Sequence, residues 1–252
     1  MFRVSLRDQD AGKVLLQHAK QNKLTQVALM LEHTSWGRSN KNSLETAAAQ
    51  FGINIIHIEW FNWRDSDIKG KVTRTLATQP QAIVLVANTP EGVDIVNAML
   101  ALPKNIHKPI ISHWGITSGN FVQQLGLDKI RQADIRVLQT FAFFNAHNQE
   151  KALQLLHSYN KKYDTQVTEY SIPSAVGVAH AYDLVHLLAI AIKQAQSTDR
   201  QAIQQALENM PKYKGLVKNY QPAFTTNHHD ALTPEDYHIF TFDNTGYVGQ
   251  LN

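Results

Sequence analysis

The 252-residue chain contains no cysteine. That excludes disulfide bridges, thiolate metal sites and a cysteine nucleophile. It is compatible with an oxidising compartment and does not demand one. Charge of either sign is sparse: 24 Lys and Arg against 21 Asp and Glu leave a formal charge of +3. The basic residues are scattered, with no basic stripe interleaved with aromatics, so the sequence gives no reason to expect a nucleic-acid partner. No apolar stretch reaches the roughly 18 residues needed to cross a bilayer. The nearest, residues 181–192, carries Asp183 and His186, so the chain is not expected to be membrane-embedded. Met1-Phe2-Arg3-Val4 does not read as a signal peptide, as the start of a processed or truncated secreted protein also would not. Catalytic signatures are missing as well: there is no Gly-x-Gly-x-x-Gly, P-loop, Gly-x-Ser-x-Gly or His-Glu-x-x-His. Of twelve histidines only His228 and His229 are adjacent, and neighbours in sequence rarely share one metal without a suitably spaced third ligand. No metal, no cofactor and no enzyme activity are expected.

What the chain has is a core's worth of apolar residues, 43% of the total, arranged in alternating patterns. Short runs rich in aliphatic and β-branched residues occur at 27–31, 53–58, 82–87 and 109–111, with a fifth at 137–144. Each is bounded by polar, Gly or Pro residues, as a buried strand should be. Helical patterns lie between them, at about 11–22, 39–50 (stopped by Gly52), from 66, and from Thr89-Pro90-Glu91 to about 103. Repeated βα units predict an α/β fold with a doubly wound parallel sheet. In such a sheet the loops leaving the carboxyl ends of the strands share one edge, and ligands bind there. All four tryptophans fall at or just after the runs: Trp36, then Trp60 and Trp63, then Trp114, with Asn88 and Thr89 in the loop between.

Beyond about residue 145 long helical patterns take over, near 147–163, 174–196 and 199–209. Residues 237–251 read as a hairpin turning at Asp243-Asn244-Thr245-Gly246. No linker separates the two halves.

Several ordered segments resemble type I periplasmic binding proteins, the branched-chain amino-acid-binding-like receptors of ABC transporters and sensor ectodomains. These are Phe2-Arg3-Val4-Ser5-Leu6-Arg7-Asp8, Trp36-Gly37 where the family has Tyr-Gly, Ala181-Tyr182-Asp183-Leu184, Asp199-Arg200-Gln201-Ala202-Ile203, and the closing segment from His228 to Gly246. The resemblance implies a ligand-binding α/β lobe over 9–138, inter-lobe crossings at 1–8 and 139–146, and a return segment into a partial second lobe with the closing hairpin over 147–252. It also implies that the first half of the N-terminal lobe is absent, so that the chain is a fragment or a partner chain supplies that half-lobe. The expected function is non-catalytic binding of a small polar ligand, an amino acid or similar, in an inter-lobe cleft that closes by hinge motion. The ligand-bound protein would be read by a membrane permease, or by a sensor kinase or cyclase, and would work in the periplasm. A Rossmann-like enzyme acting on a nucleotide or sugar, and the effector-binding domain of a regulator, are the alternatives.

Candidate ligand contacts follow from the loops. Trp36, Trp63 and Trp114 would stack on a flat or apolar group or hold a cation over an indole; capping of the sheet edge is the alternative. His113 stands beside Trp114. Ser35, Asn88 and Thr117 offer short polar groups near helix starts, suited to a carboxylate or to capping. Asp134, just before the fifth run, matches the place where the resemblance puts an acid to receive a ligand ammonium, although Ile135 replaces the family's frequent Gly. Trp60 reads as core.

Overall fold

The computed structural model describes residues 1–246 and 248–250. In chain order the elements are α1 Asp8–Gln21, β1 Gln26–Glu32, α2 Ser35–Phe51, β2 Asn54–Phe61, α3 Ile68–Ala77, β3 Ala82–Val86, α4 Thr89–Leu100, β4 Ile110–Ser112, α5 Phe121–Leu125, α6 Leu127–Ile130, β5 Ile135–Gln139, α7 Gln149–Tyr163, α8 Ala175–Ala195, α9 Arg200–Glu208, β6 Tyr213–Lys214, β7 Asn219–Tyr220, β8 His238–Phe242 and β9 Val248–Gln250. They divide into two compact units. One holds Arg7–Gln139 and the segment from Tyr237 onward; the other holds Met1–Leu6 and Thr140–Asp236.

The first unit is built on a seven-stranded sheet ordered β2-β1-β3-β4-β5-β8-β9. Strands β1 to β5 run parallel, and β8 and β9 join antiparallel at one side. Every residue of β3, and every residue of β1 after Gln26, is buried. This explains why they read as unbroken apolar runs: both faces of a parallel sheet are covered. The core between sheet and helices includes Met30, Phe61, Val72, Ile83, Leu85, Ile95, Val96, Ile116, Phe121 and Val137. Burying each such side chain contributes about 1.5–3 kcal/mol. The closing hairpin belongs to this sheet, with Val137 opposite Phe240. This corrects the sequence expectation that it lies in the other lobe. That correction has a simple cause: a run at the end of the chain carries no local sign of which sheet edge it will pair with. Leu251 of that hairpin lies outside the described residues.

One helix start also differs from the sequence expectation. Helix α2 begins four residues earlier, because Thr34, in extended backbone, accepts a hydrogen bond from Gly37 N at 3.3 Å and caps it. Trp36 therefore sits in the first helical turn. Gly52 ends this helix as expected, in the left-handed region at φ 66°. In α4 the N-cap position is Asn88, while Thr89 is already helical and turns its hydroxyl to Ile116 O at 2.8 Å.

The second unit is mostly helical. Its core joins Val4, Leu187, Ala191, Leu207, Met210, Tyr220 and Phe224. Among the described residues its only sheet is the short β6–β7 pair. Helix α8 is long and apolar enough to cross a membrane by length and composition alone, but it carries Asp183 fully buried. That carboxylate accepts hydrogen bonds from Leu216 N (2.6 Å), Val217 N (2.8 Å) and Tyr220 Oη (2.8 Å), which fastens the 214–220 loop to the helix. Leu156 is buried, whereas Leu153, Leu184, Val185 and Leu188 are exposed, leaving apolar surface on α7 and α8.

Candidate functional site

Parallel register brings the carboxyl ends of β1 to β4 to one edge, and the tryptophan-bearing turns follow those ends. At Gly115, after β4, an added Cβ would stand 2.7 Å from Cη2 of Trp36 and 2.6 Å from Ala87 O. The indole of Trp36 thus lies against the turn after β4, and only glycine admits it. At Gly37 a Cβ would stand 1.8 Å from Glu32 O, so the residue after Trp36 must also be glycine for α2 to turn this sharply from β1.

His113 forms the centre of the group. Its ring lies 5.0 Å from that of Trp36 at 84°, and 6.3 Å from that of Trp114. The side chain is buried, and neither Nδ1 nor Nε2 has a hydrogen-bond partner. The nearest anion is Asp8, in the first turn of α1, with Oδ1 3.9 Å from Nε2, too far for a hydrogen bond. Burial pushes the imidazole down to about pH 4, and the Asp8 charge opposes that shift only in part. The ring is neutral at pH 7, with one donor and one acceptor unused. A buried orphan of this kind costs about 1–3 kcal/mol, and such groups concentrate where function requires them.

Two more acids are buried here. Glu32, the last residue of β1, is 2% exposed and accepts from Asn88 Nδ2 at 3.1 Å. Glu91, in the first turn of α4, accepts from Arg64 N at 3.3 Å, where the helix dipole favours a negative charge. Among the described residues neither has a lysine or arginine as ion-pair partner. The hydroxyls nearby are already in use. Ser112 donates to His113 O (2.9 Å), and Thr117 donates to Trp114 O (2.8 Å) and accepts from Gln139 Nε2 (2.8 Å). The edge is therefore rich in acceptors and aromatic faces and poor in free donors.

The family model described as periplasmic binding protein matches residues 1–246. The chain belongs to the periplasmic binding protein family. Solved structures of the family share its fold. A type 1 periplasmic binding protein from Bordetella pertussis superposes with a TM-score of 0.83 at 19% identity, over 99% of this chain and 67% of that one. LivJ, a branched-chain amino acid transporter substrate-binding protein from Streptococcus pneumoniae solved with isoleucine, gives 0.77 at 23% identity, over 97% and 64%. An ABC transporter solute-binding protein from Rhodopseudomonas palustris solved with benzoate gives 0.77 at 13% identity, over 100% and 64%. The chain thus spans about two thirds of the length of these proteins. No curated protein sequence matches it.

Within this family member the sequence-derived candidates separate. Trp36, His113 and Trp114 come together as one aromatic group, and Asn88, after β3 at the same edge, donates to Glu32 at the end of β1. Ser35 is exposed on the first turn of α2. Thr117 is committed to its own turn. Trp63 is 67% exposed in the loop after β2, and Trp60 is half-buried. Asp134 lies at the other edge. It precedes the amino end of β5, its backbone oxygen accepts from Ile110 N, and its carboxylate forms a two-pronged ion pair with Arg136 at 2.9 and 3.0 Å. It is removed from the candidate group, since a residue before a parallel strand stands a full strand length from the residues after it. Asp8, Glu32 and Glu91 were not anticipated. Glu32 carried a signal, a charge closing an apolar run, and Asp8 ended the Arg7-Asp8 segment quoted for the resemblance.

Proposed function

We propose that the chain binds a small polar ligand with a flat or apolar part at the carboxyl edge of its seven-stranded sheet, without chemistry, as the solute-binding component of an ABC-type uptake system. The observation that carries this reading is the buried, unpartnered imidazole of His113 grouped with Trp36 and Trp114. The isoleucine-bound and benzoate-bound relatives support a small ligand of that size, an amino acid or a similar compound. A membrane permease is the partner and the periplasm the compartment on this reading; delivery of the signal to a sensor kinase or cyclase is the second outcome of the same binding event.

Thermal-shift screening of the 252-residue chain against the common amino acids and small aromatic acids and amines, followed by calorimetry, tests it. Saturable binding with unchanged ligand recovered afterwards is expected. Turnover of a bound compound, or binding untouched by Trp36→Ala and Trp114→Ala, overturns it.

A further inference from the structure

The arrangement around His113 also bears on the charge of the ligand, given the binding site read above. Nε2 of His113 and Oδ1 of Asp8 face each other across 3.9 Å with nothing bonded between them. A single donor atom placed about 2.8 Å from both would close that gap with two hydrogen bonds. Asp8 is partly exposed, its side chain at 25% against 1% for His113, so such a donor approaches past Asp8 and reaches the imidazole last. Acceptors dominate the rest of the edge. Glu32 is buried with an amide as its partner, the hydroxyls of Ser112 and Thr117 are spent on backbone oxygens, and Arg38 and Arg64 are exposed. An anion placed here would meet buried carboxylates without a counter-charge; a cation would relieve them. The indoles of Trp36 and Trp114, 5.0 and 6.3 Å from the imidazole, suit a cation as well, since indole faces are negative.

We propose that the ligand is an organic ammonium compound whose N–H groups bridge Oδ1 of Asp8 and Nε2 of His113, with its apolar part against Trp36 and Trp114. The ammonium supplies donors to an edge rich in acceptors, and its charge offsets that of Asp8. Neutral His113 accepts because burial keeps it unprotonated. Selection against compounds that carry a carboxylate and no ammonium follows from the same acids.

Benzylamine and benzoate test this directly, because they share a ring and differ in the sign of the charge. Tryptophan fluorescence and calorimetry at pH 7 on the 252-residue chain are expected to show saturable binding of benzylamine and at least tenfold weaker binding of benzoate. Asp8→Asn, with its fold checked by circular dichroism, is expected to weaken benzylamine about thirtyfold or more. The comparison of the two probes on the unaltered chain stands even where that variant misfolds. Benzoate binding as tightly as benzylamine, no benzylamine binding at millimolar concentration, or a folded Asp8→Asn with an unchanged dissociation constant overturns the ammonium assignment. If benzoate binds and Trp36→Ala abolishes it, the edge site stands and only the ligand class falls. If neither Trp36→Ala nor Trp114→Ala alters binding of either probe, the site itself falls.

Discussion

The imidazole of His113 lies 5.0 Å, ring to ring, from the indole of Trp36, and both of its nitrogens are buried without a hydrogen-bond partner. A fold selected for stability alone would place a phenylalanine or leucine there. His113→Phe is therefore expected to leave stability unchanged or raise it by about 1 kcal/mol, by removing the orphaned polar atoms. The same change is expected to abolish ligand binding. Urea denaturation and calorimetry on one preparation check both halves.

Acid should expose the buried histidines. His180, hydrogen-bonded to Thr140 Oγ1 at 2.8 Å, is pushed by burial down to about 4, as is His113. In each case the unfolded chain takes up its proton first as the pH falls below 6.5. The stability tied to neutral histidine is thus complete above 6.5 and lost progressively between 6.5 and about 4, to a limit of about 3 kcal/mol per residue. Urea midpoints between pH 7.5 and 4.5 should fall less steeply in His180→Gln than in the parent. Parallel curves would show that His180 is not the titrating group.

Asp183 holds three donors with one carboxylate. Asp183→Asn puts an amide N–H against groups that already donate, and is expected to cost about 2–4 kcal/mol. Circular dichroism during urea unfolding measures it, and amide exchange at Leu216 and Val217 should quicken.

Asp134 makes the opposite case. Its carboxylate is 47% exposed and paired with Arg136 beside the amino end of β5. Asp134→Asn is expected to change stability by less than about 1 kcal/mol and to leave ligand affinity unaltered. Calorimetry with any compound the chain binds checks the second half.

Leu184, Val185 and Leu188 of α8 are exposed, at 43%, 65% and 42%. Polar replacements there, such as Val185→Gln, should alter stability by no more than about 0.5 kcal/mol and reduce binding of a dye that reports apolar surface. A loss of several kcal/mol in urea unfolding would mean that the residue is covered in solution.

The parallel sheet was legible because β1 and β3 are covered on both faces, so their sequences are unbroken apolar runs. Trp36 and Trp114 could be placed at one edge because strand polarity fixes where each following turn lies. The hairpin at 238–250 could not be assigned to its sheet, since pairing with β5 is a contact across a hundred residues. Asp134 was misplaced for a related reason: adjacency to a strand in sequence does not say which end of the sheet the residue occupies unless the strand's direction is used. Asp8 and His113 approach each other from segments about a hundred residues apart, which no local pattern encodes.

Ligand binding at the carboxyl edge of the sheet around His113 can be read by hydrogen–deuterium exchange with and without the tightest-binding compound from the thermal-shift panel. Slowed exchange is expected at residues 32–37, 88–92 and 113–117, with no change at 132–136. Protection confined to 132–136 or to the exposed face of α8, with the 113–117 turn unaffected, would contradict it.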